Sequence, residues 1–263
     1  LSGFDTTWLA LREPADGRAR AAALLSRFTA EVDRADQPVI LDIGCGTGST
    51  LRAIGPHLQH AARWRLFDHD QRLLDAAKAR HGDDAALEFV QGDLNQIKAL
   101  PLHDALFATA SALFDLCSGD FIDRFVAHIG RLGTRLYAAL NYDGRMEWSK
   151  VHDLDAAITA RFNAHQKTNK GFGPSLGPDA WQRLAETLAA AGYEVEIAPS
   201  PWVLTADDDD LQEMFLQGIA DAVTEDGTLG RPQIAAWLNF RSDSISAEGS
   251  SCQVGHQDVL ALR

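Results

Sequence analysis

Long apolar runs are missing from this 263-residue chain. No stretch approaches the roughly 20 residues that a helix needs to cross a bilayer, so no membrane association is expected. The start at Leu1 lacks a charged segment followed by an apolar one, and no secretory leader is expected either. Cysteine is scarce. Cys45, Cys117 and Cys252 are odd in number and far apart, which points to reduced thiols in a cytoplasmic protein rather than a disulfide frame. Lysine and arginine clusters are lacking as well. With 24 basic against 37 acidic residues the formal net charge is −13, so a nucleic acid is repelled at long range. Solubility is the plainer reading of that acidity. Spacings that would ligate a metal are absent, as is a nucleophile-plus-base arrangement. There is no internal repeat or low-complexity tract. What remains is one large domain, or one domain with insertions, spanning residues 1–263 and long enough to bury a sizeable core.

What is present centres on residues 39–50, Val-Ile-Leu-Asp-Ile-Gly-Cys-Gly-Thr-Gly-Ser-Thr. Val39 to Ile43 reads as a buried strand. Gly44, Gly46 and Gly48 follow at every second position, and a helix is expected from Ser49 to roughly Leu58. Glycine has no Cβ, so such a turn lets bare backbone approach a ligand, and free N–H groups at the helix start face whatever lies on it. A dinucleotide fingerprint needs Gly-x-Gly-x-x-Gly, and the third position here is Ser49. The pattern that stands instead is Asp-x-Gly-x-Gly-x-Gly, led by Asp42.

On these residues the chain resembles the class I, seven-stranded S-adenosylmethionine-dependent methyltransferases. The resemblance implies that the turn of Gly44, Gly46, Thr47 and Gly48 holds the methionine part of the cofactor, with Asp42 near its amino group. Trp64 to Phe67 reads as a second strand ending at Asp68-His69-Asp70. There the family places a ribose ligand, which falls on Asp68, with His69 beside it; Asp70 is better read as a helix cap. Leu87 to Val90 is a third strand, followed by Asp93 and Leu94 in the positions that receive the adenine amino group and flank the ring. A turn aspartate after Gly92 is the alternative reading of Asp93, disfavoured by its place after a third strand.

The fourth strand, Ala105 to Thr109, runs into Thr109-Ala110-Ser111-Ala112-Leu113-Phe114-Asp115, which should line the floor of the site because ligands gather at carboxyl strand ends. It is not the Asn-Pro-Pro-Tyr type of motif carried by relatives that methylate amides and bases. A fifth strand, Arg135 to Leu140, ends in Asn141 and Tyr142. Upstream, Trp8 to Pro14 reads as a short helix ended by proline, and Asp16 as the cap of a second helix carrying Leu24, Leu25, Phe28 and Val32. Members of the family often fold such a segment over the cofactor, so the resemblance implies that residues 1–37 form a helical cap with Trp8, Arg12 and Arg18 as lid contacts; a packing helix with solvated arginines is the bland alternative. Two further stretches, about 144–178 and 205–250, are longer than simple connections and resemble lids. His165 stands out in the first as a general base or orienting group, although a lone surface histidine is more often inert. The acidic run Asp207 to Asp210 needs no metal, because carboxylates suit the first turn of a helix.

Five strand–helix units followed by a terminal strand pair predict an α/β fold. The family adds a doubly wound, mostly parallel seven-stranded sheet of order 3-2-1-4-5-7-6, its last strand antiparallel, with helices on both faces. The leading expectation is methyl transfer from S-adenosylmethionine to a small-molecule acceptor at O, N or C, leaving S-adenosylhomocysteine. Catalytic candidates are Ser111, Asp115, Asn141, Tyr142 and His165. The expected cofactor shell is Asp42, Gly44, Gly46, Thr47, Gly48, Asp68, His69, Asp93, Leu94, Thr109 and Arg18, with no metal. A homodimer is compatible with these features. The alternatives are a non-methylating use of the same cofactor, a silent binding module and, less favoured because of Ser49, a nicotinamide-dependent oxidoreductase.

Overall fold

Strand β1, Val39–Ile43, is buried at all five residues, as a strand covered on both faces must be. In the computed structural model, which describes residues 5–263, it sits in the middle of an eight-stranded sheet of order β3-β2-β1-β4-β5-β8-β6, with β7 paired to β8 off that path. Strands β2 (Arg63–Asp68), β3 (Leu87–Gln91), β4 (Phe107–Ser111) and β5 (Arg135–Trp148) run parallel to β1. The last strand, β8 (Cys252–Leu262), is antiparallel to β5, β6 (Glu194–Pro199) and β7 (Trp202–Leu204). The expected order is therefore present, with one strand more than seven. The extra strand arises because β6 pairs with the inner half of β8 and β7 with its outer half. Pro201 stands at the break, where a missing N–H interrupts an edge strand.

Successive side chains on β1 point to opposite faces. Leu41 and Ile43 join the core beneath α5 (Gly119–Leu132) and α7 (Ala180–Ala190). Ile40 joins the opposite core, with Leu24, Phe28 and Val32 of α2 (Ala22–Asp33) and Leu74 and Ala77 of α4 (Gln71–His81). A third core lies outside this sandwich. Strands β5 and β8 run on beyond the parallel strands, and their outer halves carry Tyr142, Met146 and Val254 against α6 (Asp155–Gln166), α8 (Asp209–Asp226) and α9 (Arg231–Ile245). Trp237 is fully buried there and donates its indole N–H to Asp155 Oδ1 at 2.9 Å. The two lid-like stretches thus share a core of their own above the carboxyl ends of the strands.

The N-terminal expectations need correction. Helix α1 runs Thr6–Ala19, straight through Pro14. An interior proline costs about 3 kcal/mol of helix stability, and packing of Trp8, Leu11 and Ala15 against the third core opposes that cost. Asp16 consequently lies inside α1 and caps nothing; helix α2 has no side-chain cap. The helix after the glycine turn is also shorter than expected, α3 being Ser49–Ile54 and followed by a 3₁₀ turn at Gly55–His57. Strand β5 is longer than expected because it continues through two register shifts, after Ala138 and after Tyr142.

Candidate functional site

The turn between β1 and α3 takes its shape from three left-handed glycines, with φ of 64° at Gly44, 54° at Gly46 and 80° at Gly48. A side chain is strained at each. The Cys45 N–H donates to Phe67 O at 3.1 Å and the Gly46 N–H to Asp68 Oδ2 at 2.9 Å, so the turn is laced to the end of β2. Asp68 also accepts from the Asp70 N–H through Oδ1 at 2.9 Å, and His69 Nδ1 stands 3.2 Å from the same oxygen. A carboxylate oxygen has two lone pairs, which leaves Asp68 able to accept a hydroxyl on either side.

Behind the turn Asp42 is fully buried. Thr109 Oγ1 donates to its Oδ1 at 2.8 Å, while Oδ2 has no partner among the described residues. Burial pushes Asp42 up to about 7, against the opposing pull of the Thr109 bond and the Arg20 charge. Arg20 is buried too. Its Nη2 donates to Ser111 Oγ at 2.8 Å, and its Nε and Nη1 have no partner among the described residues. A buried carboxyl and a buried guanidinium, each with polar atoms unused, therefore flank one side of the turn. Uncompensated polar groups of this kind are costly, and a zwitterionic ligand group would satisfy both. The Cys45 thiol is pushed well up by burial and by the charges of Asp42 and Asp68, which makes it inert.

A cleft opens over this turn, lined by Gly44, Asp68, His69, Leu94, Ser111 and Leu113 below, and roofed by Leu9, Arg12 and Asp16 of α1 and by Phe172. Arg12 makes two bonds to Asp16, at 2.8 and 3.2 Å, and lies over the Trp202 ring at 5.2 Å. Asp16 in turn accepts from Trp202 Nε1 at 2.9 Å. About 90 Å³ is free within, below the about 300–1,000 Å³ of a typical ligand pocket.

The expected site residues separate into groups. Asp42, the glycine turn, Asp68, His69, Leu94, Thr109 and Ser111 lie at or directly beneath the cleft. Thr47 supports the turn from behind, receiving Arg52 at its carbonyl (2.5 Å) and hydroxyl (3.3 Å). Asp93 is exposed and caps its own turn, accepting from the Asn95 N–H at 2.9 Å. Arg18 faces away and pairs with Asp208 at 2.5 Å. Asn141 is buried within the sheet, its Nδ2 donating to Ala138 O at 3.0 Å and Gln257 O at 2.8 Å, where it staples the β5 bulge. Tyr142 donates to Asn163 Oδ1 at 2.7 Å on α6, and burial and neighbouring acids push its hydroxyl far up. Asp115 sits between the cleft residues Leu113 and Leu116 with Oδ1 buried and unpartnered among the described residues, and burial pushes it up to about 6. His165 lies apart from the cleft, 3.1 Å from Glu225 through Nε2.

Sequence reasoning did not single out Asp16 or Arg20 as site residues, and it placed Arg12 only among the lid contacts. Leu9, Arg12 and Asp16 follow i, i+3, i+7 spacing, one face of a helix; reading the helix as continuous through Pro14 exposes that signal. Arg18 is about 200° around the helix from Asp16. Nothing in the sequence marks Arg20, which lies beyond the last turn. Among the described residues no group of three or more His, Cys, Asp or Glu is placed to hold a metal ion.

Residues 40–133 match the family model described as a methyltransferase domain. This part of the chain, which holds the glycine turn, Asp68, Leu94, Ser111 and Asp115, is a methyltransferase domain. Among solved structures, the chain is similar to the YcgJ protein of Bacillus subtilis, with 14% identity, a TM-score of 0.52, and coverage of 92% of this chain and 99% of that one. It is also similar to a SAM-dependent methyltransferase from Geobacter sulfurreducens in complex with S-adenosyl-L-homocysteine, with 17% identity, a TM-score of 0.50, and coverage of 98% and 99%. At these identities the likeness is one of fold. No curated protein matches the chain.

Proposed function

We propose that the chain binds S-adenosylmethionine on the glycine turn and transfers its methyl group to a small-molecule acceptor at O, N or C. The observation that carries this reading is the left-handed turn of Gly44, Gly46 and Gly48, with Asp68 at the next strand end and the unpaired Asp42 Oδ2 and Arg20 guanidinium behind it. When bound, the cofactor supplies a methyl on a sulfonium, already activated for transfer. The residues supply placement. Asp68 accepts the ribose hydroxyls, Leu94 flanks the base, and Asp42 and Arg20 present opposite charges to the ammonium and carboxylate of the methionine part. Leu9, Arg12 and Phe172 close over the site and exclude water. Orientation of this kind can supply roughly 7–11 kcal/mol of the barrier. Where the acceptor starts protonated, Asp115 is the group suited to take the proton, since its raised titration point keeps it a usable base near neutrality. The acidic charge of −13 weighs against a nucleic-acid acceptor, and three free, buried thiols suit a reducing compartment.

Calorimetry with S-adenosylhomocysteine and with NADH tests the cofactor. Binding of the former alone supports the reading, and binding of NADH alone overturns it. Incubation with S-adenosylmethionine and candidate acceptors, followed by mass spectrometry for a gain of one methyl, tests the transfer.

A further inference from the structure

A second chamber lies on the far side of Leu116, a residue that also lines the cofactor cleft. Its walls are Trp8 of α1, Phe162 of α6, and Phe215 and Ile219 of α8, and it offers about 750 Å³, within the about 300–1,000 Å³ range of small-molecule pockets. Both lid-like stretches and the N-terminal helix contribute to it, and it sits on the carboxyl side of β4 and β5. Two features mark it as built to stay open and to hold charge.

Gly218 lies in the interior of α8 and faces this space. A Cβ built there would meet nothing within 4 Å. An interior helical glycine costs about 1 kcal/mol relative to alanine, and here no crowding by a neighbour accounts for it. What the missing side chain provides is room.

Lys170 is the second feature. Among the described residues of this lining it is the one lysine or arginine. Lys170 is half-buried, and among the described residues no carboxylate lies within 4.0 Å of its Nζ; its hydrogen-bond contact is His165 Nδ1 at 3.5 Å. Burial lowers its affinity for a proton, with Glu225 opposing. The lining also carries two carboxylates, Asp5, which caps α1 at the Thr7 N–H, and Asp221, which accepts from Gln217; both are exposed to solvent and neither lies within 4.0 Å of Lys170 Nζ. A mainly apolar chamber whose one half-buried charged side chain is an ammonium is complementary to a molecule with an apolar body and one anionic head.

We propose that this chamber holds the methyl acceptor, and that the acceptor is a mainly apolar small molecule bearing a single carboxylate, seated with that carboxylate on Lys170. The acceptor role rests on the methyltransferase reading above; the chamber's preference for an apolar carboxylate does not. His165 steadies Lys170 from behind, through its own contact with Glu225.

Calorimetric titration of the full chain with 2-naphthoate and with its neutral counterpart 2-naphthamide tests the preference, with S-adenosylhomocysteine titrated in parallel. The expected result is 2-naphthoate binding about tenfold more tightly than the amide, as a charge-assisted hydrogen bond in a half-buried site allows. Lys170→Met, which keeps most of the stem, should erase that difference and leave the amide affinity unchanged. Gly218→Trp fills open space on a helix and should abolish binding of both probes. Both variants should bind S-adenosylhomocysteine as the parent does, which shows that they are folded. Equal affinity of the two probes, failure of either to bind the parent, a preference that survives Lys170→Met, or binding that survives Gly218→Trp each overturns the proposal. If the naphthoate preference behaves as expected but S-adenosylhomocysteine does not bind, the anion site stands and its role as acceptor chamber falls with the methyltransferase reading.

Discussion

Replacing Asp42 by asparagine isolates the cost of keeping a carboxyl group in the dry centre of the sheet. Burial raises Asp42 from 3.8 to about 7, a shift of roughly three units. At about 1.4 kcal/mol per unit this amounts to about 4 kcal/mol between the two protonation states. The sign follows from where the proton resides. Between about pH 4 and pH 7 the folded chain holds a proton that the unfolded chain has released, so raising the pH favours unfolding. The contribution is intact below about pH 4 and gone above about pH 7. The asparagine side chain would keep the bond from Thr109 Oγ1 through its amide oxygen and carry no titrating group. Urea unfolding of the ligand-free protein from pH 4.5 to 8 reads the effect. The stability difference between the two proteins should move by about 3 kcal/mol over that range, since part of the effect is already lost by pH 4.5, in favour of Asp42→Asn at the alkaline end. A ligand ammonium reverses the preference, because it stabilises the ionised carboxylate. Affinity for S-adenosylhomocysteine should therefore rise with pH up to about 7 in the parent and stay lower and flat in the variant. A constant stability offset across the range would refute the burial argument, and equal, parallel affinity profiles would refute the placement of the ammonium.

Asp68→Ala should weaken S-adenosylhomocysteine binding by about 1–3 kcal/mol through unpaired ribose hydroxyls, read by calorimetry; unchanged affinity would displace the ribose from this strand end. Asp115→Asn should lower turnover about 10²–10⁴-fold on a protonated acceptor without changing cofactor affinity. The parent rate should rise with pH through about 6, where Asp115 ionises, and the variant should lack that limb. Buried His256 is held down to about 4 by desolvation and the Arg12 charge. The unfolded chain therefore gains a proton first as pH falls below about 6.5, and stability drops by about 3 kcal/mol by pH 4. His256→Phe should flatten that limb in acid unfolding curves, and an unaltered limb would count against a neutral buried imidazole.

Local chemistry explains how much of the molecule the sequence disclosed. The glycine turn was legible because its conformation is dictated by the residues themselves: three left-handed positions require glycine. Asp68 and Leu94, to which the family resemblance pointed, line the cleft because the ends of β2 and β3 lie beside that turn. Leu41 and Ile40, on opposite faces of one strand, similarly announced a sheet covered on both sides. Elsewhere the signal was indirect. Pro14 argued for a helix end, yet burial of Trp8, Leu11 and Ala15 against the third core carries α1 past it. Asn141 had the composition of a catalytic side chain, but the β5 bulge places its amide inside the sheet.

From the sequence by itself came the glycine turn and the alternation of strands and helices, set by contacts between residues close in the chain or by backbone limits that few residue types meet; the sheet order and the carboxylate at the second strand end came from the family resemblance. The tertiary structure alone decided which cations are buried beside the glycine turn and which are neutralised at the surface. Arg18 meets Asp208 across 190 positions, whereas Arg20 lies buried beside Asp42, and Lys170 and Gly218 come together across one chamber only when α6 and α8 share a core. Pairing of charge and the shape of empty space depend on which distant surfaces are pressed together, and neither is written in any short stretch of chain.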